Sequence, residues 1–237
     1  MSVTVIAVVV TALVFDFTNG FHDTANAMAT SIATRALSPR TAVLLAASLN
    51  LVGAFLSVQV AKTISSGLVD ESRISPTVIF GALVGAILWN LLTWLRGLPS
   101  SSSHALFGGL IGATWVFAGS GAIKFSSVLT KVLLPMAYSP IAAGAVALAG
   151  TFLLYRTLSR ASSRVIAPGG PHRATAFFRR AQVVSASMVA LAHGTNEAQK
   201  TMGVITLTLI TADELPVNAV PPLWVITCCA LAIAAGT

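Results

Sequence analysis

Asp16-Phe17-Thr18-Asn19-Gly20-Phe21-His22-Asp23 sits in the middle of an apolar run that extends from about Ser2 to Ala36. Two acids, an Asn, a Gly and a His at that depth are costly for a helix whose surroundings are hydrocarbon. Such a cluster is tolerated where it lines a cavity enclosed by protein, and the expected form is a helix broken by unwound backbone. Working outward, the rest of the chain has the same character. Of 237 residues, 55% are apolar and 9% charged, whereas a soluble domain carries roughly 25% charged residues. Several apolar runs approach or exceed the ~20 residues that cross a bilayer as a helix. They are long, continuous and rich in Ala, Leu, Val and Gly, so helices fit and the short alternating segments of a barrel do not. Val3 to Val14 imitate the core of a signal peptide, but no basic residue precedes them and no cleavage site follows, so they are read as a retained first span.

The expected fold is all-α: a polytopic membrane protein with inverted-topology repeats, broken helices, and either two full spans or a re-entrant hairpin over Pro76–Gly121. A second span runs from about Pro39 to Lys62, and Ser65 to Ser75 form a loop. A further span covers about Val128 to Tyr155. Arg156, Arg160, Arg164, Arg173, Arg179 and Arg180 then follow without an acid. The chain thus divides into residues 1–155, a first transmembrane repeat; 156–180, a basic cytoplasmic linker loop; and 181–237, the start of a second, inverted repeat. With that loop inside, nine Lys and Arg fall on the cytoplasmic side and four outside, Arg96 being counted inside where its turn reaches the cytoplasm, in keeping with the positive-inside rule. The N-terminus is then outside. The net charge of +7 reflects this loop, which membrane topology requires, and is not read as a sign of nucleic acid. Adjacent Cys228 and Cys229 lack metal-ligand or disulfide spacing.

A second polar interruption, His193-Gly194-Thr195-Asn196-Glu197-Ala198-Gln199-Lys200, breaks the run from about Ala181 to Thr211. Aligned on Gly20 and Gly194, both stretches place an acid three residues on (Asp23, Glu197) and a methionine five later (Met28, Met202). In the topology above they enter the membrane from opposite sides. That is the pattern of an inverted repeat, with a binding site where the two interruptions meet.

Gly20 to Ala27 and Gly194 to Lys200 resemble the two copies of the signature of the PiT family of inorganic phosphate transporters. Ala198 to Gly203, the serine turn Leu98 to Ala105 and Thr34 to Pro39 are similar to further elements of that family. The resemblance is to the bacterial low-affinity permease type and covers nearly the whole chain. It implies symport of inorganic phosphate with Na+ or H+, the anion travelling alone or as a metal–phosphate complex, across a bacterial inner membrane crossed several times. Glu197 departs from the Asp more usual in the second copy. His104 lies 81 residues after Asp23, and the same spacing from Glu197 puts a second serine turn near position 278, beyond Thr237. The C-terminal part of the family pattern is therefore expected to be missing.

Site assignments follow from chemistry. Ser101, Ser102 and Ser103 start a Gly-rich helix, where hydroxyls and free N–H groups suit an anion; Thr24 and Lys200 complete the phosphate set. Asp23, Asn26, Asn196 and Glu197 are assigned to the coupling cation, through carboxylate and amide oxygens. Glu197 and Lys200, three residues apart, are also placed to neutralise each other. Asp16 is given only a capping role. His22, His104 and His193 lie on separate segments and are assigned to hydrogen bonding, not zinc. No nucleotide loop, nucleophile–base pair or metal triad is present, so neither an enzyme nor a primary pump is expected, and no cofactor beyond the coupling ion. Membrane lipid is a partner, and a homodimer is admitted. The competing readings are a cation exchanger or channel, which would not need the serine turn, and a non-transporting truncated subunit.

Overall fold

The computed structural model describes residues 1–98, 100–165 and 170–237; the side chains of Asn26, Ser66 and residues 158–175 lie outside the description. Among the described residues nine α-helices follow in order: α1 (Val3–Ala33), α2 (Pro39–Gly53), α3 (Gln59–Gly67), α4 (Pro76–Leu95), α5 (Ser102–Ala118), α6 (Phe125–Val128), α7 (Leu134–Val165), α8 (Gly170–Thr211) and α9 (Leu223–Gly236). A π-helical turn over Leu129–Leu133 joins α6 to α7. Among the described residues the one β-type pairing is a bridge between Val69 and Ile123. The all-helical expectation holds.

Local chemistry sets the helix starts. Ser2 caps α1 by accepting the Val5 N–H at 3.3 Å. Ser38 caps α2 in the same way through Thr41 N–H, also at 3.3 Å, and Pro39 follows at the first turn, where its missing N–H costs nothing. Ser75-Pro76 repeats the pairing at α4, there without a side-chain bond. In the loop before α4, the Ser72 hydroxyl bonds to Asp70 at 2.6 Å and holds that carboxyl below its ordinary pKa.

The broken helices lie elsewhere than expected. α1 and α8 run unbroken for 31 and 42 residues, through both polar interruptions. Several of the polar side chains find partners on neighbouring helices, Asn19 on Glu197 of α8 and His193 on Asn50 of α2, with the backbone still helical. The discontinuous element is the second span, expected to run straight from Pro39 to Lys62. It ends at Gly53 and restarts at Gln59. Val58, at the new start, provides no side-chain cap. The cap comes from α8, where Gln199 Oε1 accepts the Val60 N–H at 2.8 Å. Removing a helix cap costs roughly 0.5–2 kcal/mol. Gln199→Leu should therefore lower stability by about 1 kcal/mol and loosen α3, read as faster amide exchange over residues 59–63. Unchanged exchange there would show the cap to be idle.

Glycines explain how the long helices meet. A Cβ on Gly20 of α1 would lie 2.6 Å from the Ile233 carbonyl oxygen of α9, and one on Gly236 of α9 would lie 2.1 Å from the Phe17 carbonyl oxygen. A Cβ on Gly194 of α8 would lie 2.4 Å from the Asn50 carbonyl oxygen of α2, and one on Gly53 of α2 would lie 2.5 Å from the Leu191 carbonyl oxygen. The two seams are the same contact twice. Phe17/Gly20 corresponds to Leu191/Gly194, and Asn50/Gly53 to Ile233/Gly236. Gly20 and Gly194 thus serve close backbone approach, the small-residue packing of membrane helices, and not unwinding.

α4 and α5 form an antiparallel hairpin, with Gly109 against the Ala82 carbonyl. α1, α4 and the helix running from Phe125 to Thr157 are each long and apolar enough to cross a membrane. The last of these has none of its most apolar window buried. Its exposed Tyr138, Ile141, Leu148 and Phe152 suit lipid and not water. The basic stretch 156–180 is helical up to Val165 and again from Gly170; residues 166–169, and the side chains of Arg160, Arg164 and Arg173, lie outside the described part.

Candidate anion and cation site

α1 and α8 pack antiparallel, with the Met1 amino group 2.9 Å from Glu214 near the far end of α8. Asn19 and Glu197 meet along this contact, where Asn19 Nδ2 donates to Glu197 Oε2 at 2.8 Å. The start of α5 closes on the same point. Ser102 Oγ donates to Asp23 Oδ2 at 3.1 Å and lies 3.5 Å from Glu197 Oε2. Lys200 Nζ donates to both Ser103 Oγ and Glu197 Oε1. Asp23 Oδ1 is held by His22 Nδ1 at 2.7 Å. Asp23, Ser102, Ser103, Glu197 and Lys200 thus form one connected cluster, drawn from sequence positions up to 177 residues apart. Lys200 is 8% exposed, and a buried ammonium requires such partners.

The serines of the turn divide by direction. Ser101 stands at the cap position of α5, yet its hydroxyl accepts no bond from the helix, so side-chain capping leaves the first N–H groups of α5 untouched. Together with Ser100, Trp89 and His104, Ser101 lines a groove on the other side of the hairpin, where Trp89 Nε1 donates to Ser100 Oγ at 3.1 Å. Ser101 therefore does not join the cluster. Pro99 lies outside the described residues. The turn meets α1 at Asp23, ten residues or about 15 Å of helix rise before α1 ends at Ala33.

Two further assigned residues lie apart from the cluster, and a third is outside the described side chains. Thr24 is buried in a separate network: its hydroxyl is 3.2 Å from that of Thr237, and Asn50 Nδ2 lies 3.4 Å from Thr24 and 2.8 Å from Thr237. His193 Nδ1 joins through Asn50 Oδ1 at 3.2 Å. Asn196 is exposed; on a continuous helix, adjacent residues do not share a face, so it does not accompany Glu197. The side chain of Asn26 lies outside the described part. Asn19, assigned no role from sequence, is 1% exposed and central. Its signal was present: Asp16, Asn19 and Asp23 follow the three- and four-residue spacing of a single helix stripe, which a broken-helix reading hides.

A family model described as "Phosphate transporter family" matches residues 19–237. A Mycobacterium bovis protein named "Probable low-affinity inorganic phosphate transporter" is 56% identical over 231 residues, 97% of this chain and 54% of that protein. A Bacillus subtilis protein of the same name is 43% identical over 235 residues, 98% of this chain and 68% of that protein. A solved structure named "The sodium-dependent phosphate transporter" aligns with a TM-score of 0.78 over 99% of this chain and 75% of that one. At 19% identity this likeness speaks to the fold alone. The chain spans about half the length of the mycobacterial relatives it matches. Those proteins bear the names of transporters and not of enzymes. With a family model covering it from Asn19 to Thr237, this integral membrane chain belongs to the phosphate transporter family.

Proposed function

We propose that the chain forms the substrate and coupling site of a secondary transporter that moves inorganic phosphate across the cell membrane by symport with Na+ or H+. The observation that carries this reading is the junction at the start of α5. There Lys200 bonds to Ser103 and Glu197 while Ser102 bonds to Asp23. An anion has hydroxyls, uncapped helix N–H groups and an ammonium within one turn. A cation has two carboxylates and the Asn19 amide beside them. Coupling follows from sharing: Ser102 has one hydroxyl proton, and it goes to Asp23. A cation or proton on the carboxylates takes over that role and releases Ser102 toward phosphate. The carboxylates would otherwise repel the anion at close range.

The doubled glycine seams support the inverted repeat, with residues 1–155 and the part from 181 onward as its two members and the basic stretch between them in the cytoplasm. The short reach of the serine turn along α1 supports a re-entrant α4–α5 hairpin over two full spans. A cation exchanger would share the acids but would have no use for Lys200 and the serines beside them.

Replacing Ser102 and Ser103 together by Ala keeps the backbone and removes two hydroxyls. Hydrogen bonds to charged groups are worth roughly 1.5–3 kcal/mol each. Losing one should weaken phosphate binding by about 10- to 100-fold, with cation affinity changed less. Phosphate affinity, measured in the purified full-length protein with Na+ binding followed in parallel, checks this. Parent-like phosphate affinity would reduce the serines to structural residues and leave the cation reading in possession of the site.

A further inference from the structure

Asp16 is the acid that the junction does not use. It is fully buried, at 0% exposure, and neither carboxyl oxygen has a hydrogen-bond partner. It lies on α1 one turn before Asn19. Asn19 donates its amide protons to Glu197, and its own oxygen Oδ1 is also buried and unpartnered. Across the contact, on α8, Thr201 faces Asp16. Thr201 is 1% exposed, and its hydroxyl, although beyond ordinary hydrogen-bond distance, acts on the Asp16 carboxyl as a donor. Four buried oxygens from three side chains therefore lack a partner at ordinary hydrogen-bond distance at one level of the α1–α8 interface, and the Thr201 hydroxyl is the one donor among them.

The other charged and titratable groups that face Asp16 do not relieve it. Lys200 and Glu197 on α8 act on it electrostatically but are joined to each other and to Ser103. From α9 the group that acts on it is Cys229, a buried free thiol. A buried carboxylate with a single hydroxyl donor and no counter-charge of its own is among the costly arrangements in a protein. Oxygens that outnumber their donors match what a hard cation requires. One carboxylate with neutral amide and hydroxyl oxygens suits a single positive charge. A divalent ion would draw on more carboxylates, and zinc on His or thiolate ligands.

We propose that Asp16, Asn19 and Thr201 form a second cation site, one helical turn from the Asp23–Glu197 junction, which takes a small alkali cation such as Na+. The proposal extends the cation half of the reading above, and its test requires no phosphate. Asn19 connects the two sites, because the amide that offers Oδ1 to this one donates Nδ2 to Glu197 of the other. Filling this site would orient Asn19 and so set Glu197 in place.

The test is equilibrium binding of radioactive Na+ to the full-length protein in lipid nanodiscs, with choline holding ionic strength constant. The parent is expected to bind one more Na+ than Asp16→Asn. Thr201→Val should weaken that ion roughly tenfold, about 1.4 kcal/mol, and Asp23→Asn should retain it. In the same nanodiscs Na+ should raise the melting temperature of the parent more than that of Asp16→Asn. Equal Na+ stoichiometry and affinity in the parent and Asp16→Asn would overturn the proposal and identify Asp16 as a permanently protonated acid. If Asp16→Asn fails to fold, Thr201→Val decides, and parent-like Na+ affinity in that variant overturns the proposal just as directly. Loss of phosphate binding with this Na+ retained would instead count against the phosphate reading alone.

Discussion

Asp23→Asn in the full-length protein is expected to abolish coupled phosphate uptake while leaving membrane insertion intact. The substitution keeps the size of the side chain and a carbonyl oxygen. It removes the charge that draws the Ser102 hydroxyl at 3.1 Å and the His22 ring at 2.7 Å. Two charge-assisted bonds at roughly 1.5–3 kcal/mol each make a loss of at least about 100-fold the natural scale. Asp23 has little part in the helix packing, because the α1–α9 seam runs through Phe17 and Gly20. Uptake should be measured in vesicles as a function of external Na+ and of pH. Unchanged uptake with unchanged cation dependence would remove Asp23 from the coupling site.

Gly194→Ala is expected to cost more stability than its single methyl suggests. In an ordinary helix, Gly→Ala gains roughly 0.5–1 kcal/mol from the restricted unfolded chain. At Gly194 the new carbon would sit 2.4 Å from both Cα and O of Asn50. These are backbone atoms, with no flexible side chain to move aside. Overpacking of this kind costs roughly 1–3 kcal/mol and sometimes more, and the whole α2–α8 seam must shift to relieve it. The expected result is a lower melting temperature in detergent and a reduced yield of folded protein. Gly144→Ala, in the unburied part of α7 where nothing lies within 4 Å, should be neutral or slightly stabilising. Equal stability of Gly194→Ala and the parent would show that the seam is looser than these distances indicate.

Much of this was legible in sequence, and the failures share one cause. The membrane class, the helices and the meeting of Asp23 with Glu197 followed from apolar runs interrupted twice by similar polar residues. Ser102, Ser103 and Lys200 also come together, beside those two acids. The errors came from treating polar residues and glycine inside a span as evidence of unwound backbone. Composition cannot separate a glycine that frees the chain from one that lets another chain approach. Only the neighbour decides, and for Gly20 and Gly194 the neighbours are α9 and α2. Once the helices are continuous, Asn196 turns outward, Thr24 faces Asn50, and Asn19 and Asp16 enter the stripe. The interruption at residues 54–58 went unread because its cap, Gln199, lies 139 residues from Val60.

The two glycine seams also have a mechanical consequence. Where backbones touch without intervening side chains, sliding one helix along another by a single residue, about 1.5 Å, would press carbonyls into Cα atoms. α1 is locked to α9 and α8 to α2 in this way, while Asn19 and Glu197 fasten α1 to α8. These four helices are thus joined into one frame by backbone contacts and one hydrogen bond. The α4–α5 hairpin meets that frame through side chains, with Trp94 edge-on to Phe21 and Ser102 and Ser103 on the acids and Lys200. Breaking those hydrogen bonds would leave both glycine seams intact.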